Sequence, residues 1–207
     1  MTNAGIILCG GRSTRMGRDK ATLPFGPELM LQRVARLLGE VVERIVVVAA
    51  AGQELPPLDE AVEIVRDERE GRGPLEGIAA GLRAIDGTAD AAFVTSCDVP
   101  LLAPAFVRRM FKLLGEHQIV VPKDEKYHHP LAAVYRAEVL PHVEQLLAED
   151  RMRPFFLFEM SDTLEIDAEQ MRAVDAQLGS LRNINRPEDY EKALQEAGFS
   201  SEEDDGR

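Results

Sequence analysis

The twelve residues 9–20, CGGRSTRMGRDK, set Arg12, Arg15, Arg18 and Lys20 against a single acid, Asp19. Gly10 and Gly11 come directly after the apolar run 4–8, which reads as a buried strand. Glycines in that place let the backbone turn tightly and bring its N–H groups close to an anion. Arginine and lysine add charge-assisted bonds to phosphate oxygens. Four cations gathered in a chain of formal net charge −12 predict a local site for a small phosphate-bearing ligand, not affinity for a nucleic-acid polymer. No Gly-Lys-Ser/Thr ends the loop, so it is not a Walker A loop, and it does not fit the GxGxxG dinucleotide pattern either. The competing reading is a solvated basic loop after a strand.

Two carboxylates could complete such a site. Asp98 lies in Ser96-Cys97-Asp98-Val99-Pro100, just after the apolar run 91–95. Near a basic loop it suits Mg²⁺, which takes few protein ligands and keeps waters and substrate phosphates. Alternatively, it caps a turn formed with Pro100. Asp67 follows the run 62–65. A carboxylate there can accept bonds from the adjacent N1–H and N2–H of guanine, a donor pair that adenine and cytosine lack. Among Arg66, Glu68, Arg69 and Glu70 it also reads as a surface acid. Gly73 and Gly77, flanking Pro74, would let the next loop lie flat against a base and open a helix. His128 and His129 beside Lys126 suit an acidic substrate or an exposed loop. Arg151 and Arg153 suit an anionic substrate or a helix end, and Asn183 and Asn185 suit hydrogen bonds to a ligand or to turn backbone. The chain shows no Ser/His/Asp or Cys/His arrangement. The chemistry it predicts is therefore positioning and charge neutralisation.

The elements that must place these residues follow from periodicity. Ile- and Val-rich runs at 4–8, 44–48 (RIVVV), 62–65 and 91–95 (AAFVT), with shorter ones at 119–121 and 131–135, read as strands. Between them, residues 29–41, 75–85, 105–114 and 139–148 carry apolar positions near the 3.6 period, and Pro104 is a helix opener. A last helix begins at Pro187. This alternation predicts an α/β fold of three αβα layers around a mostly parallel twisted sheet. Such sheets bind ligands at the carboxyl ends of their strands, where the loop and both carboxylates fall.

The 207 residues suit one domain over 1–199, with the acidic 200–207 as a frayed tail. Two cysteines without a CxxC, a start lacking a basic leader segment and the lack of a long apolar run predict a cytoplasmic protein with no membrane segment.

The pattern L-x-G-G-x-S-x-R-M-G-x-D-K at 8–20 resembles the signature of nucleotidyltransferases related to sugar-1-phosphate pyrophosphorylases, and most closely the MobA family of molybdenum cofactor guanylyltransferases. Gly73-Pro74-Leu75-Glu76-Gly77-Ile78 is similar to its GPLxGI, and Cys97-Asp98-Val99-Pro100 to its CDxP. His129-Pro130 and the Asn183-to-Asp189 stretch NINRPED are similar to its later elements, so the resemblance spans most of 4–197. It implies a Rossmann-like nucleotidyltransferase fold that joins GMP from GTP to molybdopterin and releases pyrophosphate. It further implies that Arg15 and Lys20 hold the triphosphate and that Asp98 binds Mg²⁺. Nucleotide contacts would come from Leu8, Cys9, Gly10, Gly11, Lys20, Asp67, Gly73, Pro74, Leu75 and Asp98. His129, Arg151, Asn183 and Asn185 would face the molybdopterin. Contacts with molybdoenzymes or cofactor chaperones also follow from the resemblance.

Two departures stand out. The family's Asn after the second long strand is missing from Ala49-Ala50-Ala51-Gly52, so that contact is expected to be lost or made by backbone. Cys9 stands where Ala is more usual. Gly10 favours guanine over cytosine, since related cytidylyltransferases tend to carry Ala there. The rivals are a cytidylyltransferase or sugar-phosphate nucleotidyltransferase on the same fold, a nucleotide-binding regulator, and a molybdopterin carrier.

Overall fold

In the computed structural model the chain is described over residues 2–9, 19–67 and 73–199. The Ile/Val-rich runs become the strands β1 (Asn3–Leu8), β4 (Arg44–Ala50), β5 (Val62–Asp67), β6 (Ala91–Ser96) and β7 (Ile119–Lys123). A two-residue pair, β2 (Pro24–Phe25) and β3 (Glu28–Leu29), forms a separate hairpin. With β8 (Ala133–Arg136) and β9 (Thr163–Asp167), the main sheet has seven strands in the order β5-β4-β1-β6-β8-β7-β9. β5, β4, β1 and β6 run parallel; β8 is antiparallel to both β6 and β7, and β9 is parallel to β7.

The period of two in each strand sends alternate side chains to opposite helical layers. Ile7, Val47 and Phe93 meet α1 (Met30–Gly39) and α3 (Pro104–Leu114). Ile6, Val46 and Val94 meet α2 (Pro74–Ile85), α4 (Leu140–Ala148) and α5 (Pro154–Met160). Two glycines allow close approach of the layers. A Cβ on Gly5 would stand 2.3 Å from Leu38 Cδ2, and one on Gly81 would stand 2.5 Å from Ile6 Cγ2.

A third apolar cluster joins the hairpin to the last helix, α6 (Pro187–Glu196). Leu23, Phe25 and Met30 pack there with Ile184, Ala193 and Leu194. Tyr190 Oη donates to the Pro24 carbonyl. The Arg33 guanidinium lies over Phe25 at 5.0 Å and Phe199 at 5.5 Å, while its Nε donates to Pro100 O at 2.7 Å. α6 and Phe199 are thus tied to the segment that follows the basic loop.

Several features differ from the periodicity reading. The antiparallel β8 begins at Ala133, not at 131, because Pro130–Ala132 forms a 3₁₀ turn whose Pro130 carbonyl accepts from Tyr135 Oη at 2.8 Å. The hairpin, α5 and β9 are additional elements; each is short, and β9 is a half-exposed edge strand with a weak alternation. No helix among the described residues is long and apolar enough to cross a membrane. The predicted tail at 200–207 lies outside the described residues.

Candidate active site

Register brings the candidate residues to one edge. Leu8 pairs with Val48 and with Ser96, and Ala50 pairs with Asp67. Asp67 and Asp98 therefore both stand two residues beyond the level of Leu8, at the carboxyl edge of the parallel strands. With β4 and β1 between them, three strand spacings, about 14 Å, separate the two residues along the sheet at the backbone. That is a span suited to a nucleotide lying across the strand ends.

Strand pairing continues past Leu8. Cys9 N donates to Val48 O at 2.8 Å and Cys97 N to Leu8 O at 3.1 Å. Cys9 and Cys97 are free, buried thiols on neighbouring strand ends. The hydrogen bond between them, helped by burial, pushes the Cys97 thiol well above its ordinary pKa. A protonated, buried thiol packs as a small apolar group. Gly10, Gly11, Arg12, Arg15 and Arg18 lie outside the described residues.

The chain is described again from Asp19, whose Oδ1 accepts from Ala21 N at 3.0 Å and so caps the 3₁₀ turn Lys20–Thr22. From that turn Lys20 Nζ reaches Asp98 Oδ2 at 2.6 Å and Asn185 Oδ1 at 2.9 Å. Asp98 Oδ1 accepts from Asn183 Nδ2 at 2.7 Å and from the Ser96 hydroxyl. Asn183 Nδ2 also lies 3.0 Å from Ser96 Oγ, and Ile184 N donates to the Asp98 carbonyl at 2.9 Å. Asp98 and Lys20 thus form a nearly buried ion pair, with side chains 12% and 17% exposed. A hard carboxylate oxygen already facing a cation suits a divalent ion. The capping alternative for Asp98 falls away, since both of its carboxylate oxygens are turned to Lys20, Asn183 and Ser96.

Asp67 borders a groove of about 620 Å³ between β5, α2 and α4, lined also by Glu63, Glu76, Arg83 and Glu144. Gly73 has φ +80°, a conformation that favours glycine, and Pro74 opens α2 directly after it. Leu75 is fully buried, and Leu8 packs against the Gly77 backbone. Their side chains belong to the core, so any nucleotide contact at these two positions falls to backbone atoms.

His129 and Asn183 line a common pocket of about 240 Å³ with Pro74, His128, Leu131 and Ser180. Neither histidine is uncommitted. His128 Nε2 is 2.6 Å from Glu165 Oε1 and its ring is 5.1 Å from that of Phe158. His129 Nε2 is 3.1 Å from Asp124 Oδ2. Arg151 is placed elsewhere: its guanidinium stacks 4.2 Å above the Phe156 ring and pairs with Glu149 at 3.4 Å. Arg153 precedes α5 at its N-terminus.

Sequence reasoning overlooks Gln53. Residues 49–52 offer no polar side chain at the end of the second long strand. Yet Gln53 sends its amide from the turn after β4 to Cys9 O at 3.0 Å and Asp19 Oδ2 at 2.8 Å. The available signal is its place one residue beyond Gly52, whose φ of +73° lets the chain turn back toward β1.

Known proteins resemble this chain over most of its length. The chain is 37% identical over 191 residues to a "probable molybdenum cofactor guanylyltransferase" of Mycobacterium ulcerans, covering 90% of each chain. It is 39% identical over 191 residues to a protein of the same description from Methanothermobacter thermautotrophicus, covering 88% of this chain and 94% of that one. Among solved structures, molybdopterin-guanine dinucleotide biosynthesis protein A from Archaeoglobus fulgidus superposes with a TM-score of 0.77 at 22% identity, covering 95% of this chain and 99% of that one. The model of the MobA-like NTP transferase domain matches residues 5–163. With these matches the chain belongs to the MobA-like NTP transferase family.

Proposed function

We propose that this protein transfers GMP from GTP to the terminal phosphate of molybdopterin. A phosphate oxygen of the acceptor bonds to the α-phosphorus of GTP as the bond from that phosphorus to the β-phosphate bridging oxygen breaks, and pyrophosphate leaves. The observation that carries the reading is the Lys20–Asp98–Asn183–Asn185 cluster at the carboxyl edge, with Asp67 level with it three strands away. The names of the relatives at 37–39% identity support the choice of substrates.

The acceptor phosphate is already ionised near neutral pH, so the site needs no general base. Lys20, with Arg15, Gly10 and Gly11 of the loop, would hold the triphosphate, and Lys20 would stabilise charge moving onto the leaving pyrophosphate. Asp98 would hold Mg²⁺, which when bound neutralises phosphate charge and orients the phosphate oxygens. Asn183 and Ser96 fix the rotamer of the Asp98 carboxylate, which pre-organises it for that task. Asp67 would accept from the guanine N1–H and N2–H, and Gly73 and Pro74 would border the base. The pocket lined by His129 and Asn183 would take the acceptor; Arg151, bound to Phe156 and Glu149, would have to leave those partners to join it.

Pyrophosphate release measured with Mg²⁺, molybdopterin and each of GTP, CTP and ATP tests the reading. GTP is expected to be preferred by roughly 2–4 kcal/mol in kcat/KM, the cost of leaving a buried donor–acceptor pair unmade. Equal turnover of CTP would overturn the assignment of base, and molybdopterin binding without pyrophosphate release would point to a carrier.

A further inference from the structure

Gln53 makes three hydrogen bonds that together fix its amide. Ala50 N donates to Oε1 at 3.1 Å, which places the oxygen on that side and leaves Nε2 facing two acceptors. Nε2 donates to Cys9 O, the last described residue after β1, and to Asp19 Oδ2, the residue that caps the turn bearing Lys20. The turn that carries Gln53 is held in its own right. Gln53 N donates to Ala50 O at 3.2 Å, and Arg66 Nη1 on β5 reaches Ala50 O at 3.2 Å and Gln53 O at 2.8 Å.

One amide nitrogen thus joins the end of β1 to the start of the Lys20 turn. We propose that Gln53 is a positioning residue for nucleotidyl transfer: through Asp19 it sets the reach of Lys20 toward the nucleotide phosphates. Asp19 uses its two carboxylate oxygens for two tasks, Oδ1 for the Ala21 N cap and Oδ2 for Gln53. A change at residue 53 therefore reaches Lys20 without passing through the sheet. This inference rests on the reading that Lys20 meets phosphates, and it does not depend on which base or acceptor is used.

The test exchanges the polarity of the contact. Gln53→Glu keeps the length of the side chain and the acceptor for Ala50 N, but sets a carboxylate against Asp19 and the Cys9 carbonyl. Asp19→Asn keeps an oxygen for Ala21 N but turns an amide N–H₂ toward the Gln53 N–H₂. In the double variant the amide introduced at position 19 can donate to the carboxylate introduced at position 53. Affinity for inorganic pyrophosphate by calorimetry and steady-state kcat and KM for GTP are measured on the full chain, with melting temperatures alongside. Each single variant is expected to lose about tenfold to a hundredfold in pyrophosphate affinity, the size of one lost charge-assisted hydrogen bond, and the double variant to regain at least about fivefold over Gln53→Glu. Gln53→Met, which keeps the bulk and adds no charge, is expected to show the same loss of pyrophosphate affinity with a smaller fall in melting temperature. Unchanged pyrophosphate affinity in Gln53→Met, or losses that multiply in the double variant, would overturn the proposal. Wild-type protein that binds pyrophosphate but does not turn over GTP with molybdopterin would count against the guanylyltransferase reading and leave this inference standing.

Discussion

Asp98→Ala tests the ion pair as a structural contact as well as a catalytic one. A carboxylate set aside for metal would face no cation in the free protein, and on that ground alone its removal would be neutral or mildly stabilising. The structure predicts the opposite. Asp98 is the acceptor for Lys20 Nζ at 2.6 Å, Asn183 Nδ2 at 2.7 Å and the Ser96 hydroxyl. Removing one partner of a buried pair costs about 3–5 kcal/mol. That figure is reduced here because Lys20 is 17% exposed and keeps Asn185 Oδ1, and because Asn183 keeps Ser96 Oγ. The loss is then about 3 kcal/mol, set mainly by the ammonium left without its counter-charge. For a domain of this size it lowers Tm by about 6–12 °C. Asp98→Asn keeps an oxygen for Ser96 and Asn183 but sets its N–H₂ against the Lys20 ammonium, and should cost nearly as much, about 2–3 kcal/mol. Thermal melts of both variants without nucleotide or Mg²⁺ measure this, with pyrophosphate release measured separately. A Tm for Asp98→Ala equal to or above that of the wild type would refute the reasoning, whatever happens to turnover.

Lys20→Ala should lower kcat more than it raises KM, by about 2–4 kcal/mol in the barrier, because the contact strengthens as charge develops on pyrophosphate; steady-state kinetics with GTP check it. Gly81→Ala should destabilise by about 1–3 kcal/mol in urea unfolding, since its Cβ would overlap Ile6 Cγ2 and Cδ1. Glu28 holds its carboxyl below the ordinary 4.5, chiefly through the Arg36 hydrogen bonds at 2.7 and 3.0 Å. The pair therefore stabilises the fold above pH 4.5, and the contribution disappears as pH falls through the depressed folded value. Glu28→Gln should cost about 1 kcal/mol or less at about pH 7 because Arg36 is half exposed, and progressively less as pH falls through the depressed folded value, as urea melts over a pH series will show.

The sheet core is legible in the sequence because its strands are buried on both faces. Val46, Val47 and Ile6 leave no accessible surface, and such strands read as continuous apolar runs. Lys20 and Asp98 are legible because residue type, glycine context and strand end coincide. β9 is not, because TLEID on a half-exposed edge carries too few apolar positions to set a period. α5, PFFLFEM, is only seven residues long and nearly apolar all round, so it shows no face. Asn183 and Asn185 stand out by spacing, but their work does not. Their amides turn to Asp98 and Lys20, a distinction that depends on how the far end of the chain folds back. Gln53 gives no pattern at all, because a single glutamine in a turn acquires meaning only when Cys9 and Asp19 arrive beside it.

The return of the chain end to the start has a consequence for synthesis. The last strand of the sheet closes at Asp167, yet Asn183, Ile184 and Asn185, which set Asp98 and Lys20, come later. The hairpin at 24–29 likewise lacks its apolar cover until α6 emerges. A ribosome adding about 5–20 residues per second can thus release a nearly complete sheet whose Lys20 and Asp98 lack their asparagine partners for a second or more. During that interval the nascent chain presents Phe25 and Met30 without Ala193 and Leu194 over them, and an Asp98 without its Asn183 donor. The Lys20–Asp98 cluster is therefore completed only once residues 183–185 have folded back, and a chain cut shortly after β9 lacks Asn183 and Asn185.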